Sequence, residues 1–298
     1  MGRRRKGDPI HGWVVVDKPL EISSTGAVNK VRWLLHAQKA GHTGTLDPLA
    51  TGILVVALGE ATKLVNLVMN GAKTYRFTAQ FGEERTTDDA EGEVTATSNI
   101  RPTDVEITAA LPAFTGDISQ IPPAFSAIKV AGERAYKLAR AGQEVHLAAR
   151  PVHIESLTLI ERPDQDHVVL EMRCGKGTYV RSLVRDLARS LGTCAHVVAL
   201  RRTRAEPFGE DQAFSLEKIE EVRHKALIPI ETALDDIPAL ALTGAEAAKV
   251  RQGQAVSASG INPVLEMDIL AKVDGKPLAL GSCRGGQFFP KRVLLLDE

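Results

Sequence analysis

The stretch 41–52, GHTGTLDPLATG, constrains this chain most, because it runs directly into the apolar segment 53–58, ILVVAL. The stretch holds three glycines, one proline and a single carboxylate, Asp47. An unbroken apolar run of this length is typical of a strand that is buried on both faces. We therefore predict that one aspartate is held in a rigid loop immediately before a buried strand.

Other hydrophobic patterns predict strands and helices that follow one another without a regular βαβ period. Strands are expected over 13–17, 73–81, 124–130, 152–160, 167–173 and 196–200, and helices over 60–69, 133–141, 178–191 and 215–227. A further helix is expected over 27–35, after cap candidates at 23–25. A capping box, Thr103 with Glu106, predicts one further short helix. Within 73–81, Tyr75 lies on the apolar face of an alternating pattern. The polar stretch 83–93 is expected to be a loop. This mixture predicts an α+β fold rather than a doubly wound sheet.

The length of the chain allows one large domain or two. It has 298 residues, of which 44% are hydrophobic, and this is ample for a buried core. After about Pro238 short strands and glycine turns dominate, with a hairpin signal at Asp274-Gly275. We therefore predict a first domain over 1–237 and a small β-rich domain over 238–298.

The overall charge is balanced, with 37 basic and 37 acidic residues. A nucleic-acid-binding protein often has a basic excess, so this balance weighs mildly against one. The basic residues are clustered, however, at 3–6, at 134, 137 and 140, and at 201, 202 and 204. Each cluster alone is interpreted as a solvated surface, but three together keep a polyanionic partner open.

The sequence shows no sign of a membrane span, a secretory signal or a disulfide framework. No apolar run approaches ~18 residues, and the basic N-terminus leads into no long apolar segment. The three cysteines, Cys174, Cys194 and Cys283, are far apart. We therefore expect a cytoplasmic protein in a reducing environment, without membrane association.

Common catalytic and cofactor-binding motifs are missing from the sequence. It contains no GxxxxGKS/T phosphate loop, no GxGxxG after a strand, no HExxH zinc motif and no GxSxG elbow. Gly-Lys-Gly at 175–177 precedes a predicted helix and could hold a phosphate, but a tight turn is the favoured interpretation. We expect no cofactor and no bound metal.

Asp47 has two interpretations from the residues alone. A lone aspartate in a rigid loop can be a covalent nucleophile, since a paired acid–base mechanism would need a second carboxylate. An aspartate before a proline also commonly starts a turn. Without further information the turn is the favoured interpretation.

Six segments, in order between about residues 12 and 205, resemble the TruB-type tRNA pseudouridine synthases. They read GWVVVDKPLEISST, AGHTGTLDPLATGILVVALGEATK, KTYRFTAQFG, QIPPAFSAIKVAGERAYKLARAG, CGKGTYVRSLVRDLA and AHVVALRRTR. The segment with Asp47 and the GTYVR segment are the most specific. The resemblance implies a pseudouridine synthase fold, with a central mixed, mostly antiparallel sheet flanked by helices and loops. A small C-terminal PUA-like RNA-binding domain would follow.

The family isomerises uridine 55 in the TΨC loop of tRNA to pseudouridine. The N-glycosidic bond breaks, the uracil turns and C5 rejoins C1′, without an external cofactor or metal. The resemblance therefore implies an isomerase that binds the T-arm stem-loop of tRNA and acts on a nucleoside flipped out of its stack. No protein partner is required, and a monomer is expected.

The resemblance also implies roles for residues of the site. Asp47 corresponds to the essential nucleophile, Arg181 to the arginine that pairs with it, and Tyr75 to the tyrosine that stacks on the uracil. A guanidinium beside a carboxylate favours the ionised form that a nucleophile needs. Tyr179 and Leu200 correspond to residues that line the uracil pocket, and His42 to a residue that contacts the rearranged RNA loop. Whether the aspartate attacks the ribose or the base, or removes a proton to give a glycal, stays open.

An insertion near 125–150 holds the RNA stem-loop in this family. Arg134, Lys137 and Arg140 fall within it at helical spacing, and they are expected to bind the RNA backbone. Lys18, from the DKP segment, is expected to be structural. The acidic loop 85–92 departs from the family pattern because its early aspartate is displaced, so no role is assigned to it.

Two alternative functions remain open. The chain could be a tRNA-binding folding chaperone with minor catalysis, although the intact set of Asp47, Tyr75 and Arg181 argues against lost catalysis. It could also be a family member that acts on another RNA, as in the guide-RNA-dependent branch. The C-terminal segment is short and lacks a long lysine-rich tail, which favours the stand-alone bacterial type.

Overall fold

The structure is a computed structural model that describes residues 7–130, 132–258 and 268–296. Up to residue 237 its helices are α1 (Ser24–Leu34), α2 (Val65–Asn70), α3 (Asp104–Ala110), α4 (Ala135–Arg140), α5 (Val180–Ser190) and α6 (Leu216–Val222). The strands of this part are β1 (Gly12–Lys18), β2 (Ala40–His42), β3 (Ala50–Leu58), β4 (Lys73–Phe81), β5 (Glu83–Arg85), β6 (Val94–Thr97), β7 (Gly116–Gln120), β8 (Lys129–Val130), β9 (Glu133–Arg134), β10 (Arg150–Glu161), β11 (His167–Cys174), β12 (Ala195–Ala205) and β13 (Phe208–Gly209).

One large sheet forms the centre of this part, in the order β1-β3-β12-β4-β11-β10-β7, with β2 on β3 and β13 on β12. Among the described residues, every pairing in this sheet is antiparallel except that of β12 with β3. The parallel register places Leu200 opposite Ala50, where β3 begins. The predicted α+β fold with a mixed, mostly antiparallel sheet is confirmed.

Strand β3 is buried on both faces, as its unbroken apolar run predicts. On one face, Leu54, Val56 and Leu58 belong to a core that also contains apolar residues of α1 and α5. On the other face, Ile53, Val55 and Ala57 belong to a second core, together with Trp13, Phe208, Leu270, Leu280 and Leu294. The last three of these come from the C-terminal part of the chain. Helices therefore cover one face of β3, and the C-terminal part helps to cover the other.

The C-terminal part contains α7 (Gly244–Arg251) and the strands β14 (Ala239–Leu242), β15 (Val256–Ser257), β16 (Asp268–Val273), β17 (Lys276–Arg284) and β18 (Gln287–Val293). These strands form one sheet in the order β14-β16-β17-β18-β15. The predicted hairpin joins β16 to β17, where Asp274 and Gly275 have φ of 50° and 78°. The Lys63 ammonium donates to the Val293 carbonyl at 2.7 Å, which ties this part to the segment after β3.

Several local predictions were wrong; among them, the helix expected over 215–227 ends at Val222. The polar stretch 83–93 contains β5 and leads to β6, which pair as a hairpin, and Asp88 and Asp89 in its turn are buried. The predicted strand over 124–130 is reduced to β8 because Pro122 and Pro123 offer no amide hydrogen and the next residues turn toward α5. Helix α4 begins at Ala135 rather than 133, since the two residues before it pair with β8.

Among the described helices, none is long and apolar enough to cross a lipid bilayer.

Candidate active site

The loop that carries Asp47 is fixed to α1 and to β3. The Ser24 hydroxyl, in the first turn of α1, donates to the Leu46 carbonyl at 2.9 Å and accepts from the Leu46 amide at 2.8 Å. The Ala50 amide donates to the Asp47 carbonyl at 3.0 Å. The turn expected to start at Asp47 is therefore closed by a main-chain hydrogen bond. The carboxylate of Asp47 remains available for other contacts.

Two buried cationic side chains contact main-chain carbonyls of the same loop. The Lys18 ammonium donates to the carbonyls of Pro19 and Ile22, both at 2.8 Å, and lies 3.4 Å from that of Pro48. Burial lowers the pKa of Lys18 to about 8. The Arg202 guanidinium donates to the carbonyl of Gly44 at 3.1 Å. Both side chains therefore act on the loop through its main chain, which agrees with a structural role for Lys18.

Arg181 joins the Asp47 loop to α5. Its Nη2 atom lies 2.8 Å from Oδ2 of Asp47, and 36% of the Asp47 side chain is exposed against 4% of Arg181. Nη2 also donates to the Phe125 carbonyl and Nη1 to the Thr87 carbonyl, each at 3.0 Å. The arginine is thus fixed by several acceptors behind a carboxylate that faces a cleft.

A second carboxylate, Asp89, contacts the same guanidinium at 3.3 Å and is buried. The Thr87 hydroxyl and the Glu91 amide donate to Asp89, which fixes its orientation. The sequence pattern had suggested no role for this acidic loop, and Asp89 was therefore not predicted as a site residue. The only signal was a pair of adjacent aspartates in a polar stretch, and nothing in that pattern shows that the turn is buried against an arginine.

The neighbouring Asp88 forms a separate ion pair with Arg185, one helical turn after Arg181, at 2.9 Å. Burial raises the pKa of Asp88 to about 6, although Arg185 and Arg181 oppose the shift. Asp88 and Asp89 therefore attach the 86–93 turn to α5 at two successive arginines.

A first cleft, of about 250 Å³, opens on one side of the Asp47–Arg181 pair. Its lining includes Asp47, Tyr75, Tyr179, Arg181, Leu200 and Arg202. Tyr75 lies on β4 opposite Arg202 of β12, and Leu200 lies two residues before Arg202. Burial raises the pKa of Tyr75, and the nearby Arg202 guanidinium acts in the opposite direction. The structure thus brings five of the sequence-predicted site residues to one cleft.

A second cleft, of about 580 Å³, lies on the other side of the pair. Its lining includes His42, Asp47, Asp89, Arg134, Arg140 and Arg181. His42 is therefore separated from Tyr75 and Leu200, and burial lowers its pKa, with a smaller contribution from Arg202. Of the three basic residues predicted to bind RNA, Arg134 and Arg140 line this cleft and Lys137 does not. The Asp47–Arg181 pair is common to both clefts.

Within the described part of the chain, no three histidine, cysteine, aspartate or glutamate side chains are placed to hold a metal ion. The site offers a partly exposed carboxylate that faces a cleft with aromatic side chains in its lining. A buried guanidinium supports this carboxylate from the other side. Such a group can act as a nucleophile or as a base toward a planar ligand.

Family comparisons agree with the sequence resemblance. Residues 32–180 match the model of the TruB family pseudouridylate synthase N-terminal domain. Residues 181–237 match that of the tRNA pseudouridylate synthase B C-terminal domain. The second match begins at Arg181, so the Asp47–Arg181 pair joins residues from the two matched regions.

The chain is similar to curated proteins over nearly its whole length. It is 53% identical to the tRNA pseudouridine synthase B of Bradyrhizobium diazoefficiens, covering 98% of this chain and 88% of that protein. It is 51% identical to the protein of the same name from Caulobacter vibrioides, covering 99% and 100% of the two chains.

Solved structures share the fold. A chain in the crystal structure of a Cbf5-Nop10-Gar1 complex superposes with a TM-score of 0.75 at 24% identity, covering 96% of this chain and 85% of that one. A chain in an H/ACA RNP bound to a substrate RNA containing 2′-deoxyuridine gives 0.74 at 21% identity, covering 99% and 92%. At these identities the likeness establishes the fold alone. Together with the matches above, it leads to one assignment: the chain belongs to the TruB family of pseudouridylate synthases.

Proposed function

We propose that this chain isomerises uridine 55 in the TΨC loop of tRNA to pseudouridine, with Asp47 as its nucleophile. The observation that carries the proposal is the ion pair of Asp47 with Arg181, at 2.8 Å, on the wall shared by two clefts. The full-length relatives named tRNA pseudouridine synthase B support the substrate. The position within the tRNA follows from the family resemblance.

The first cleft is the proposed site of the uracil. Tyr75 and Tyr179 offer aromatic surfaces and Leu200 an apolar one, beside the exposed carboxylate of Asp47. Extrusion of a base from a folded loop costs roughly a few kcal/mol. Stacking on an aromatic side chain returns about 1–3 kcal/mol of this. The cleft therefore supplies the kind of contact that an extruded uracil needs.

The reaction exchanges one bond of the nucleoside for another. The N1–C1′ bond breaks and a C5–C1′ bond forms, while C5 loses a proton and N1 gains one. The product is an isomer, so the balance requires no other reactant. Asp47 supplies the carboxylate for this exchange, and Arg181 stabilises its negative charge from the buried side.

The second cleft is the proposed site of the surrounding RNA. Arg134 and Arg140 place positive charge on its wall, where they can contact phosphates. Lys137 adds charge on the same helix outside the cleft, and His42 contacts the rearranged loop. We assign the segment 238–298 as a PUA-like RNA-binding domain that extends the contact with tRNA.

We also propose that the enzyme works as a monomer in the cytoplasm. Cys174, Cys194 and Cys283 are all free, which suits a reducing compartment.

Incubation with an unmodified T-arm hairpin, followed by chemical mapping of pseudouridine, tests the proposal. We expect pseudouridine at position 55 with the native chain and none with Asp47→Asn, while the hairpin still binds to the variant. Asp235→Asn, which removes an exposed carboxylate elsewhere, is the matched control and should remain active. Full activity of Asp47→Asn, or no product with the native chain, would refute the assignment. If the native chain restored the folding of misfolded tRNA but formed no pseudouridine, the result would favour the chaperone alternative.

A further inference from the structure

We propose that Gln120 and Arg150 are positioning residues, which hold Tyr179 against the uracil in the first cleft. This inference rests on the proposed pseudouridine synthase function. Gln120 ends β7 and Arg150 begins β10, and the two lie directly opposite each other in the register of these strands. Neither residue is part of the lining of the two clefts, and both contact the segment that carries Tyr179.

Gln120 binds the main chain of Tyr179 through both ends of its amide. Its Oε1 atom accepts from the Tyr179 amide at 2.8 Å, and its Nε2 atom donates to the Tyr179 carbonyl at 3.1 Å. The Gln120 side chain is buried, with 2% of the residue exposed. One buried side chain therefore binds both main-chain polar groups of Tyr179, whose carbonyl also accepts from the Leu183 amide of α5 at 3.1 Å.

The start of α5 explains why this contact matters. Tyr179 precedes the helix with φ of −111° and ψ of 118°, and no side chain at this position caps the helix. An unpaired main-chain group in a buried setting is costly. Gln120, on a neighbouring strand, pairs the amide of this preceding residue and so fixes the point at which α5 begins. Arg181 follows only two residues later, on the same helix.

Arg150 acts on the other side of Tyr179. Its Nη2 atom donates to the Gly177 carbonyl at 2.6 Å, and the centre of its guanidinium lies 5.1 Å from the centroid of the Tyr179 ring. Gly177 has φ of 85°, a conformation that favours glycine. The Gly-Lys-Gly turn at 175–177 is thus a tight turn held by Arg150, and the same guanidinium stacks on the aromatic ring.

The two residues together restrict the main chain and the ring of Tyr179 before any ligand arrives. A side chain that is already ordered loses less conformational freedom when the substrate binds and reacts. Loss of this restraint should therefore affect turnover of the extruded uridine. Binding of the RNA backbone, which we assign to the second cleft, should be little changed.

Gln120→Met, which keeps the length of the side chain and removes its polar ends, tests the main-chain contact. Ser182→Ala is the control, because it breaks a 2.8 Å bond to the carbonyl of Ile121 in the same junction without touching Tyr179. With T-arm hairpin as substrate, we expect Gln120→Met to lower kcat by at least about tenfold with KM nearly unchanged. Ser182→Ala should keep its kcat, even if its Tm falls. Native kcat in Gln120→Met, or an equal loss of kcat in both variants, would overturn the proposal.

Arg150→Gln, made in the native and in the Tyr179→Ala background, tests the contact with the ring. We expect a loss of kcat in the native background and little further loss without the ring, because Arg150 then has nothing to position. Equal losses in both backgrounds would contradict the inference. Absence of pseudouridine with the native chain would instead refute the proposed function, and with it this inference.

Discussion

The Arg181 guanidinium is almost fully buried, yet its Nη2 atom lies 2.8 Å from a carboxylate oxygen of Asp47 that faces a cleft. The cation therefore supports the carboxylate from the protein side and leaves its outer side open to a ligand. Asp89 contacts the same guanidinium from the interior at 3.3 Å. One positive charge is thus shared between an exposed and a buried carboxylate.

Asp89→Asn should lower kcat although Asp89 lies behind the arginine. The neutral amide removes a charged hydrogen-bond partner worth about 1.5–3 kcal/mol, so Arg181 is less firmly held beneath Asp47. We expect kcat to fall about 10- to 100-fold, with hairpin affinity retained. Single-turnover kinetics and a binding titration measure the two quantities. Glu93→Gln, an exposed change in the same loop, is the control, and equal rates for both variants would argue against the shared-charge arrangement.

Tyr75→Leu should lower activity by removing the aromatic surface of the first cleft. Stacking on an extruded base contributes about 1–3 kcal/mol, which corresponds to a rate loss of roughly 5- to 150-fold. Tyr75→Phe keeps the ring and should retain most of the activity. Rates of pseudouridine formation distinguish the two variants. A Tyr75→Leu enzyme as fast as the native one would show that the uracil does not stack there.

The double variant Arg134→Ala with Arg140→Ala should weaken the salt dependence of RNA binding. Each lost phosphate contact reduces the slope of log K against log salt by about 0.7 to 0.9. The loss of affinity should therefore be largest at low salt and shrink as salt rises. Filter binding or anisotropy across a salt series measures the slope. Lys137→Ala, on the same helix but outside the cleft, should change it less, and an unchanged slope in the double variant would show that these side chains do not contact phosphate.

Asp88 should make the stability of the fold depend on pH. Burial raises its pKa to about 6 in the folded chain, whereas an unfolded aspartate titrates near about 3.9. The folded state thus binds this proton more tightly. The resulting stabilisation is complete below about pH 4 and is lost as the pH rises through about 6.

Asp88→Asn provides the neutral reference for this effect, since asparagine tolerates the φ of 58° at this position. As the pH falls from 7 to 4, the unfolding free energy of the native chain should rise relative to the variant by at most about 3 kcal/mol. Denaturant titrations at several pH values measure the difference. A difference that stays constant, or that changes in the opposite direction, would mean that Asp88 does not titrate as described.

Hydrophobic periodicity predicted the elements that position the site. The alternation over 73–81 and the unbroken run over 53–58 correspond to β4 and to most of β3. Both patterns are read from consecutive residues, and they indicate a regular strand that is buried on one or both faces. The proximity of Asp47 and Arg181, 134 positions apart, has no such local signal and was expected only from the family resemblance.

The residues that periodicity could not reveal are those whose role depends on a distant partner. Asp89 lies in a polar stretch typical of a solvated loop, and the charge that pairs with it in the buried state comes from the distant Arg181. Gln120 ends an edge strand, and its importance appears only when the start of α5 is placed beside it. Helix α4 was predicted too long because pairing of the two preceding residues with β8 competes with helix formation.

The position of β3 between two apolar cores links the Asp47 loop to the far end of the chain. Leu270, Leu280 and Leu294 share a core with Ile53 and Val55, the strand residues that follow the Asp47 loop. Deletion of the C-terminal part would expose the underside of that strand to water. Under the proposed function, a truncated enzyme should therefore lose turnover as well as affinity for tRNA, because the strand next to the Asp47 loop would be left partly uncovered.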